Sequence, residues 1–153
     1  RIQWQKTELK DHRSFTEINI NAYEDWKEYE KIIYTTLRPY IDRYAERFKI
    51  THNWPERFGW EQIRFKKYEV NDKDEFKEHV DVMDYASAKR FLVFFLYLND
   101  NEGGLTSFPE YDTMIQPKAG TLLMFPPLWT HKHIGHKPIK KPKYIIGSYL
   151  HYA

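Results

Sequence analysis

The chain contains no cysteine among its 153 residues. This absence excludes disulfide bonds, thiolate zinc sites, iron–sulfur clusters and cysteine nucleophiles. Neither sign of charge dominates, because 24 Lys and Arg stand against 22 Asp and Glu and the formal net charge is +2. Proteins that bind nucleic acid through its phosphates normally carry a marked basic excess, so we expect no nucleic-acid partner.

Long hydrophobic runs and nucleotide-binding motifs are also missing. The longest apolar run is 91–98 (FLVFFLYL), far shorter than the roughly 20 residues of a membrane-spanning helix. Neither G-x-G-x-x-G nor a P-loop occurs, which argues against a nucleotide site. The first residues have no apolar segment of the signal-peptide type. We therefore expect a soluble protein with no membrane partner.

Aromatic residues, in contrast, are abundant at 18%, which favours a β-rich fold with an aromatic-lined cavity. Apolar side chains recur at helical spacing over 23–48, and Pro39 interrupts them, so this segment predicts two helices or one kinked helix. From Glu61 onward, short strand-like segments alternate with turn residues, as in a sandwich or jelly roll. The predicted strands are 62–70, 79–82, 91–98, 105–108, 112–117, 121–125, 131–134 and 144–152.

Metal-ligand residue types occur in two places. In the triplet His79-Val80-Asp81, strand periodicity would put the imidazole and the carboxylate on one face, where they could share a metal ion. A third ligand from 129–136 (WTHKHIGH) would complete two histidines and one carboxylate. This facial set suits non-haem Fe(II), because it leaves coordination positions open. Periodicity alone leaves three candidates for the third ligand: His131, His133 and His136.

A lysine at the start of the last predicted strand is a further candidate. If that strand pairs antiparallel with the strand of the third histidine, Lys143 would lie beside the metal cavity. A buried lysine there needs an anionic partner, and a dicarboxylic cosubstrate would provide one. For the neighbouring lysines the preferred interpretation is a solvated charge run; these are Lys137, Lys140 and Lys141.

Residues from about 62 to 152 resemble the Fe(II)- and 2-oxoglutarate-dependent oxygenases, in particular the prolyl 4-hydroxylase-like branch with its small phage and bacterial members. Five segments carry the resemblance in order: IRFKKYEVNDKDEFKEHVDV, RFLVFFLYLNDNEGGLTSFPE, PKAGTLLMFPP, HIG and KYIIGSYLHY. It implies a mainly β fold with N-terminal helices, namely a double-stranded β-helix (jelly roll) of two antiparallel sheets. A single oxygenase domain over 1–153 follows, with helical support and a loop over 1–60 and the β-helix core over 61–153.

The resemblance also implies which residues form the site. His79 and Asp81 match the H-x-D iron ligands of the family, and His133 matches the distal ligand because it stands in an H-x-G setting. Lys143, about ten residues beyond His133, would pair with the far carboxylate of 2-oxoglutarate. The residues implied to contact or line the cosubstrate pocket are Tyr68, Tyr97 and Thr106.

The implied reaction is the hydroxylation of a C–H bond, above all C4 of a prolyl residue in a peptide or protein. The resemblance implies Fe(II), 2-oxoglutarate and O2, with ascorbate as a reductant and with succinate and CO2 as products. It further implies a cytoplasmic location if the chain comes from a phage or a bacterium. An aromatic wall for a proline-rich substrate is one interpretation of Trp54, Phe58, Trp60 and Trp129, and rings that seal the barrel ends are the other.

Three alternatives stay open at the level of sequence. An oxygenase of this type could act on a substrate other than proline. A cupin-like metal protein would share a histidine-rich β scaffold but would not need Lys143. A non-catalytic binding jelly roll would form no succinate with any substrate.

Overall fold

The computed structural model describes residues 2–153, and within them eleven β-strands and one α-helix are formed. The prediction of a mainly β protein is confirmed. The helix α1 is Lys27–Arg47. The strands are β1 Gln5–Leu9, β2 Arg13–Asn19, β3 Phe58–Trp60, β4 Arg64–Tyr68, β5 Phe76–His79, β6 Arg90–Tyr97, β7 Thr106–Phe108, β8 Thr113–Ile115, β9 Leu122–Phe125, β10 His133–Gly135 and β11 Lys143–Tyr152.

The strands form one continuous antiparallel ladder in the order β8-β7-β10-β5-β2-β4-β11-β6-β9, with β1 beside β2 and β3 beside β11. It curves until side chains near its two ends touch, since the rings of Phe108 on β7 and Phe125 on β9 lie 4.8 Å apart. The sheet is therefore curled into a half-barrel. The predicted division into two sheets is not seen in the hydrogen bonding, because β2 pairs with β4 and also, at Arg13 and Phe76, with β5.

The helix packs on the outer face of this curled sheet. Ile33, Leu37 and Ile41 are buried at helical spacing against outward-facing side chains such as Phe94 and Ile146. Of the two alternatives, two helices or one kinked helix, the first is wrong, because a single helix runs through Pro39. Proline removes one intrahelical hydrogen bond, but the buried stripe on both sides of it holds the helix to the sheet. Short 3-10 turns at Ile20–Ala22 and Glu24–Trp26 precede the helix.

The N-terminal segment differs from the prediction of helical support and loop over 1–60. It contains the hairpin of β1 and β2, and β3 pairs with the last strand. The sequence of β2, RSFTEIN, does not alternate cleanly, because Ser14 is buried next to Phe15. Phe15 packs in the inner cluster and Ile18 in the cluster beneath the helix, so β2 buries side chains on both faces and the period-two signal is lost there.

The inner face of the sheet lines the interior of the half-barrel. Phe15, Tyr68, Tyr97 and Ile145 form a buried cluster on this face. Aromatic rings thus supply much of the lining, as the composition predicts. None of the helices formed by residues 2–153 combines the length and the apolar character that crossing a membrane requires.

Candidate metal centre and adjoining cavities

Three side chains converge at one end of the half-barrel interior. β5 ends at His79 and β10 begins at His133, and these two residues are opposite partners in the antiparallel ladder. Asp81 completes the group, and one ligand atom from each residue lies within 4.8 Å of the others. The Asp81 carboxylate is 3.8 Å from Nε2 of His79 and 3.5 Å from Nε2 of His133.

Asp81 reaches this position from a loop. The predicted strand 79–82 is shifted, because β5 ends at His79. The N–H groups of Asp81 and Val82 both donate to the carbonyl of Pro127, at 3.0 and 3.1 Å, and Arg90 donates to the carbonyl of Asp81 at 2.8 Å. The side chains of His79 and Asp81 therefore converge because of these loop contacts and not because of strand alternation.

Both imidazoles present Nε2 to the common point. The carbonyl of Lys77 lies 2.7 Å from Nδ1 of His79, and the carbonyl of His131 lies 3.0 Å from Nδ1 of His133. A carbonyl can only accept, so these contacts assign the proton to Nδ1 and leave the Nε2 lone pair free for a metal. Burial, followed by the neighbouring His133, lowers the pKa of His79 to about 2, which keeps this ring neutral at pH 7.

Two buried atoms of the cluster have no hydrogen-bond partner: Oδ2 of Asp81 and Nε2 of His133. Unpartnered buried polar atoms are costly, and a native structure normally satisfies them. A cation between the two imidazoles and the carboxylate would satisfy both. Two neutral histidines and one carboxylate are also the donor set that suits non-haem Fe(II).

A tyrosine holds the carboxylate of the cluster, and an arginine packs against the ring of that tyrosine. The hydroxyl of Tyr149 donates to Oδ1 of Asp81 at 2.7 Å, and burial raises the pKa of Tyr149, with the Asp81 charge adding to the shift. Arg90 lies 3.9 Å from the centre of the Tyr149 ring and forms two hydrogen bonds with Glu61, at 2.8 and 2.9 Å. No motif in the sequence marks these residues, although Tyr149 shares a strand face with Lys143 by period two.

Lys143 lies 2% exposed at the start of β11. Its ammonium donates to the carbonyls of Gly104 at 3.0 Å and His136 at 3.4 Å, and it lies 4.3 Å from the centre of the Tyr68 ring. Among residues 2–153 no carboxylate forms an ion pair with it. Burial, with a smaller contribution from Lys66, lowers the pKa of Lys143 to about 7. A bound anion would compensate this buried cation.

The predicted cosubstrate residues lie around Lys143. Tyr68 is its cross-strand partner, and the hydroxyls of Tyr97 and Thr106 are 2.6 Å apart. Together they line an inner cavity of about 30 Å³ that also contacts the three-residue cluster. An outer cavity of about 780 Å³ lies on the other side. The two cavities share His79 and Asp81, so the cluster stands at their junction.

The other two candidate histidines lie outside the cluster. The ring of His131 packs 5.2 Å from that of Tyr111, and its carbonyl holds the ring of His133. Nε2 of His136 is 2.7 Å from Oγ of Ser107, and its carbonyl accepts from Lys143. Both therefore position neighbouring groups of the site.

Of the four rings in the hypothesis of an aromatic substrate wall, Trp60 borders the outer cavity. Its ring also packs on Tyr34 and Phe94, with ring centres 4.9 and 5.5 Å apart, so the substrate wall stays a prediction. Trp54 and Phe58 instead pack on Phe91, with ring centres 5.1 and 6.0 Å apart, and belong to the core beneath the helix. Trp129 is 73% exposed and lines neither the inner nor the outer cavity.

The family model of the 2OG-Fe(II) oxygenase superfamily matches residues 63–151. The chain belongs to this superfamily. This match confirms the resemblance that the sequence motifs indicate. The protein is therefore an oxygenase of the class that binds iron and 2-oxoglutarate. No curated protein sequence is similar enough to count as a relative.

Solved prolyl hydroxylases share the fold of this oxygenase. The viral collagen prolyl hydroxylase of Paramecium Bursaria Chlorella virus-1, in complex with 2OG, is 19% identical with a TM-score of 0.67, over 100% of this chain and 80% of that one. A Trichoplax adhaerens prolyl hydroxylase, bound to a hypoxia inducible factor peptide fragment, is 16% identical with a TM-score of 0.74, over 97% and 70%. The Pseudomonas putida prolyl-4-hydroxylase is 17% identical with a TM-score of 0.64, over 97% and 78%.

Proposed function

We propose that this oxygenase hydroxylates C4 of a prolyl residue in a peptide or protein, with 2-oxoglutarate converted to succinate and CO2. The observation that carries the proposal is the pairing of an unsatisfied His–Asp–His cluster with a buried lysine that has no carboxylate partner among the described residues. The prolyl substrate is supported by the fold shared with prolyl hydroxylases. The curled sheet is then the double-stranded β-helix of the family, within one oxygenase domain over 1–153.

The residues divide into a metal set and an anion set. His79, Asp81 and His133 would hold Fe(II), because their free donor atoms face one point. The ammonium of Lys143 would pair with the far carboxylate of 2-oxoglutarate, and Tyr68 would orient it beside that lysine. The hydroxyls of Tyr97 and Thr106 would line the same pocket. When bound, the iron and the keto acid supply the activation of O2.

The protein itself contributes orientation and exclusion of water. The Nδ1 contacts fix both imidazole rings, and Tyr149 keeps the carboxylate of Asp81 turned toward the cluster. Aromatic side chains such as Phe95 keep the junction of the cavities apolar around these polar groups. The outer cavity, with Trp60 in its wall, has room for an extended proline-rich peptide.

The test is an anaerobic titration of the purified protein with Fe(II) and then 2-oxoglutarate, followed by visible absorbance. Chelation of the keto acid to iron should give a weak charge-transfer band near roughly 500 nm. We expect no band for His79→Ala, and for Lys143→Met a band that needs much more 2-oxoglutarate. Lys141→Met, an exposed lysine of the same segment, is the matched control and should behave as wild type. A folded protein without the band would contradict the proposal.

The substrate is tested separately by mass spectrometry. Proline-rich peptides incubated with the loaded enzyme in air should gain about 16 Da, the mass of one oxygen atom, with one succinate formed for each oxygen inserted. Fragmentation then assigns the oxygen to C4 of proline, and ascorbate should raise the number of turnovers. A band without any prolyl product would leave a 2-oxoglutarate oxygenase with a different substrate. Iron binding without the band would indicate a cupin-like metal protein.

A further inference from the structure

Two cations in the wall of the outer cavity form no ion pair with any of the described residues. Five basic side chains line this cavity, and two of them are paired, Arg64 with Glu17 at 3.4 Å and Arg90 with Glu61 at 2.8 Å. Among the described residues, the other three form no ion pair; these are Arg13, Lys66 and Lys89. Lys89 is exposed at the rim, whereas Arg13 and Lys66 belong to the wall itself.

Lys66 lies in the middle of β4 and lines both the outer and the inner cavity. Its ammonium lies 4.7 Å from the centre of the Phe15 ring, a cation–π contact that uses none of its three hydrogen-bond donors. Glu17 is its cross-strand partner in the ladder, but that carboxylate accepts from Thr7 at 3.0 Å and from Arg64 at 3.4 Å. Burial lowers the pKa of Lys66 despite the charges of Glu17 and Asp81 nearby.

Arg13 lies on the neighbouring strand β2, close to the metal cluster. Its guanidinium carbon is 5.5 Å from the centre of the Phe76 ring, and that ring stacks on His79 at 3.4 Å. Nε of Arg13 is buried and has no hydrogen-bond partner. The rings of Phe15 and Phe76 are 6.0 Å apart, so each of two adjacent rings carries one cation.

We propose that Arg13 and Lys66 form an anion subsite of the outer cavity that binds a carboxylate of the substrate. The inference rests on the proposed function only in taking this cavity as the substrate site. A carboxylate placed there would accept hydrogen bonds from the guanidinium of Arg13 and from the ammonium of Lys66, and neither group donates to an acceptor among the described residues. Charge-assisted bonds in a partly buried site are the strong ones. The preferred peptide therefore carries a negative charge close to the residue that is hydroxylated.

Two sources could supply that carboxylate: an Asp or Glu side chain beside the proline, or the free C-terminus of a short substrate. Three peptides distinguish them, namely a neutral proline peptide with a C-terminal amide, the same peptide with Glu beside proline, and the neutral peptide with a free C-terminus. Binding is measured by calorimetry without O2, both on the protein alone and on the protein with Fe(II) and 2-oxoglutarate. We expect one acidic form to bind about ten- to hundredfold tighter than the amide.

Lys66→Met and Arg13→Met should each remove most of this preference and leave the affinity for the neutral amide within about twofold, because only the charge-assisted bonds are lost. Lys66→Arg keeps the charge and should keep the preference. Lys67→Met is the matched control, since Lys67 is on the opposite face of β4 and pairs with Glu69. Circular dichroism checks that each variant is folded. If a methionine variant unfolds, the peptide preference of Lys66→Arg still tests whether the positive charge at this position is needed.

Equal binding of the three peptides to the wild-type protein would overturn the proposal. So would a Lys66→Met variant that requires more 2-oxoglutarate while its peptide preference is intact, because Lys66 would then serve the cosubstrate. A failure of the proposed function gives a different result, in which the charge-transfer band is missing but the protein alone still prefers the acidic peptide.

Discussion

The two buried charges of the site are each held by neutral groups. The carboxylate of Asp81 accepts from the hydroxyl of Tyr149, and the ammonium of Lys143 donates to the carbonyls of Gly104 and His136. Neutral partners fix the position of a charge without cancelling it. The carboxylate of Asp81 is therefore left for a cation to compensate, and the ammonium of Lys143 for an anion.

The first prediction concerns the hydroxyl of Tyr149. Tyr149→Phe removes the hydrogen bond to Oδ1 of Asp81 and frees the carboxylate to rotate away from the cluster. Groups that orient metal ligands typically contribute about 10- to 100-fold to metal affinity, so we expect the Fe(II) affinity to fall by about tenfold. Anaerobic titration with a competing chelator measures it. Tyr144→Phe, on the opposite face of β11, should bind as wild type, and an unchanged affinity in Tyr149→Phe would refute the orienting role.

The second prediction is the pH dependence of 2-oxoglutarate binding. Burial holds the pKa of Lys143 at about 7, below the ordinary value of about 10.4, so in the free protein the ammonium loses its proton as the pH rises through 7. The dianionic cosubstrate needs the ammonium form, and binding above pH 7 must take up a proton. We expect the dissociation constant to rise by about tenfold from pH 7.5 to 8.5, measured from the charge-transfer band.

Lys143→Arg is the control for this pH profile. Arginine stays protonated throughout this range, so its dissociation constant should not change with pH, whatever its absolute value. A wild-type profile that is equally flat would show that the charge state of Lys143 does not govern cosubstrate binding.

At the scale of single residues, the family resemblance predicted the cluster members through the H-x-D and H-x-G motifs, whereas periodicity alone left His131, His133 and His136 open. The sequence did not predict Lys66, which carries the further inference, because a lysine in a strand is normally read as a solvated residue. The signal was nevertheless present: Lys66 is two positions before Tyr68 and therefore shares its inward face.

At the scale of elements, the N-terminal hairpin is tied to the sheet through one buried carboxylate. Oδ1 of Asp74 accepts from Lys6 at 2.8 Å and from Ser14 at 2.6 Å, and Oδ2 accepts from the N–H of Glu69 at 2.9 Å. These contacts join β1 and β2 to the segment between β4 and β5. Burial alone would raise the pKa of Asp74, but these hydrogen bonds hold it below its ordinary value.

The third prediction follows from this network. Asp74→Asn removes the charge from the hydrogen-bonded carboxylate, and we expect the free energy of unfolding at pH 7 to fall by about 1–3 kcal/mol. Urea denaturation measures it, with the exposed Asp72→Asn as control. Because the folded pKa of Asp74 is depressed, its contribution is present above the unfolded pKa and is lost as the pH falls below about 4. A difference between wild type and Asp74→Asn that persists at pH 2 would contradict this origin.

The strands that the sequence predicted well are marked by a local pattern, whereas the strand that it misplaced ends at contacts between residues far apart in the chain. The interior strand β6 and the long strand β11 were predicted within a residue or so, because continuous apolar and aromatic runs mark a buried strand. The strand expected at 79–82 was displaced, since backbone contacts of Asp81 to the Pro127 loop end it early. Such contacts join residues far apart in the chain and leave no local pattern.

At the scale of the whole molecule, metal binding is coupled to stability. A ligand that binds only the folded state stabilises it by about 2.7 kcal/mol at a concentration 100 times its dissociation constant. For a domain of this size, that corresponds to a rise in Tm of about 5–10 °C. Anaerobic thermal unfolding with and without Fe(II) measures it. The rise should vanish in His79→Ala and persist in His131→Ala. Loss of the rise in His131→Ala would instead make His131 a metal ligand.

The position of β2 in the ladder has a consequence for biosynthesis. β2 lies between β4 and β5 in the folded sheet, yet the ribosome releases it well before either neighbour, with only β1 available as a partner. Until β4 and β5 emerge, one side of β2 is an open edge that can pair with another nascent chain. Arg13 and Glu17 put charge on this strand, and charged side chains are one means by which proteins keep an open edge solvated. Two residues that line the cavity of the folded enzyme thus also lie on an edge that stays open during synthesis.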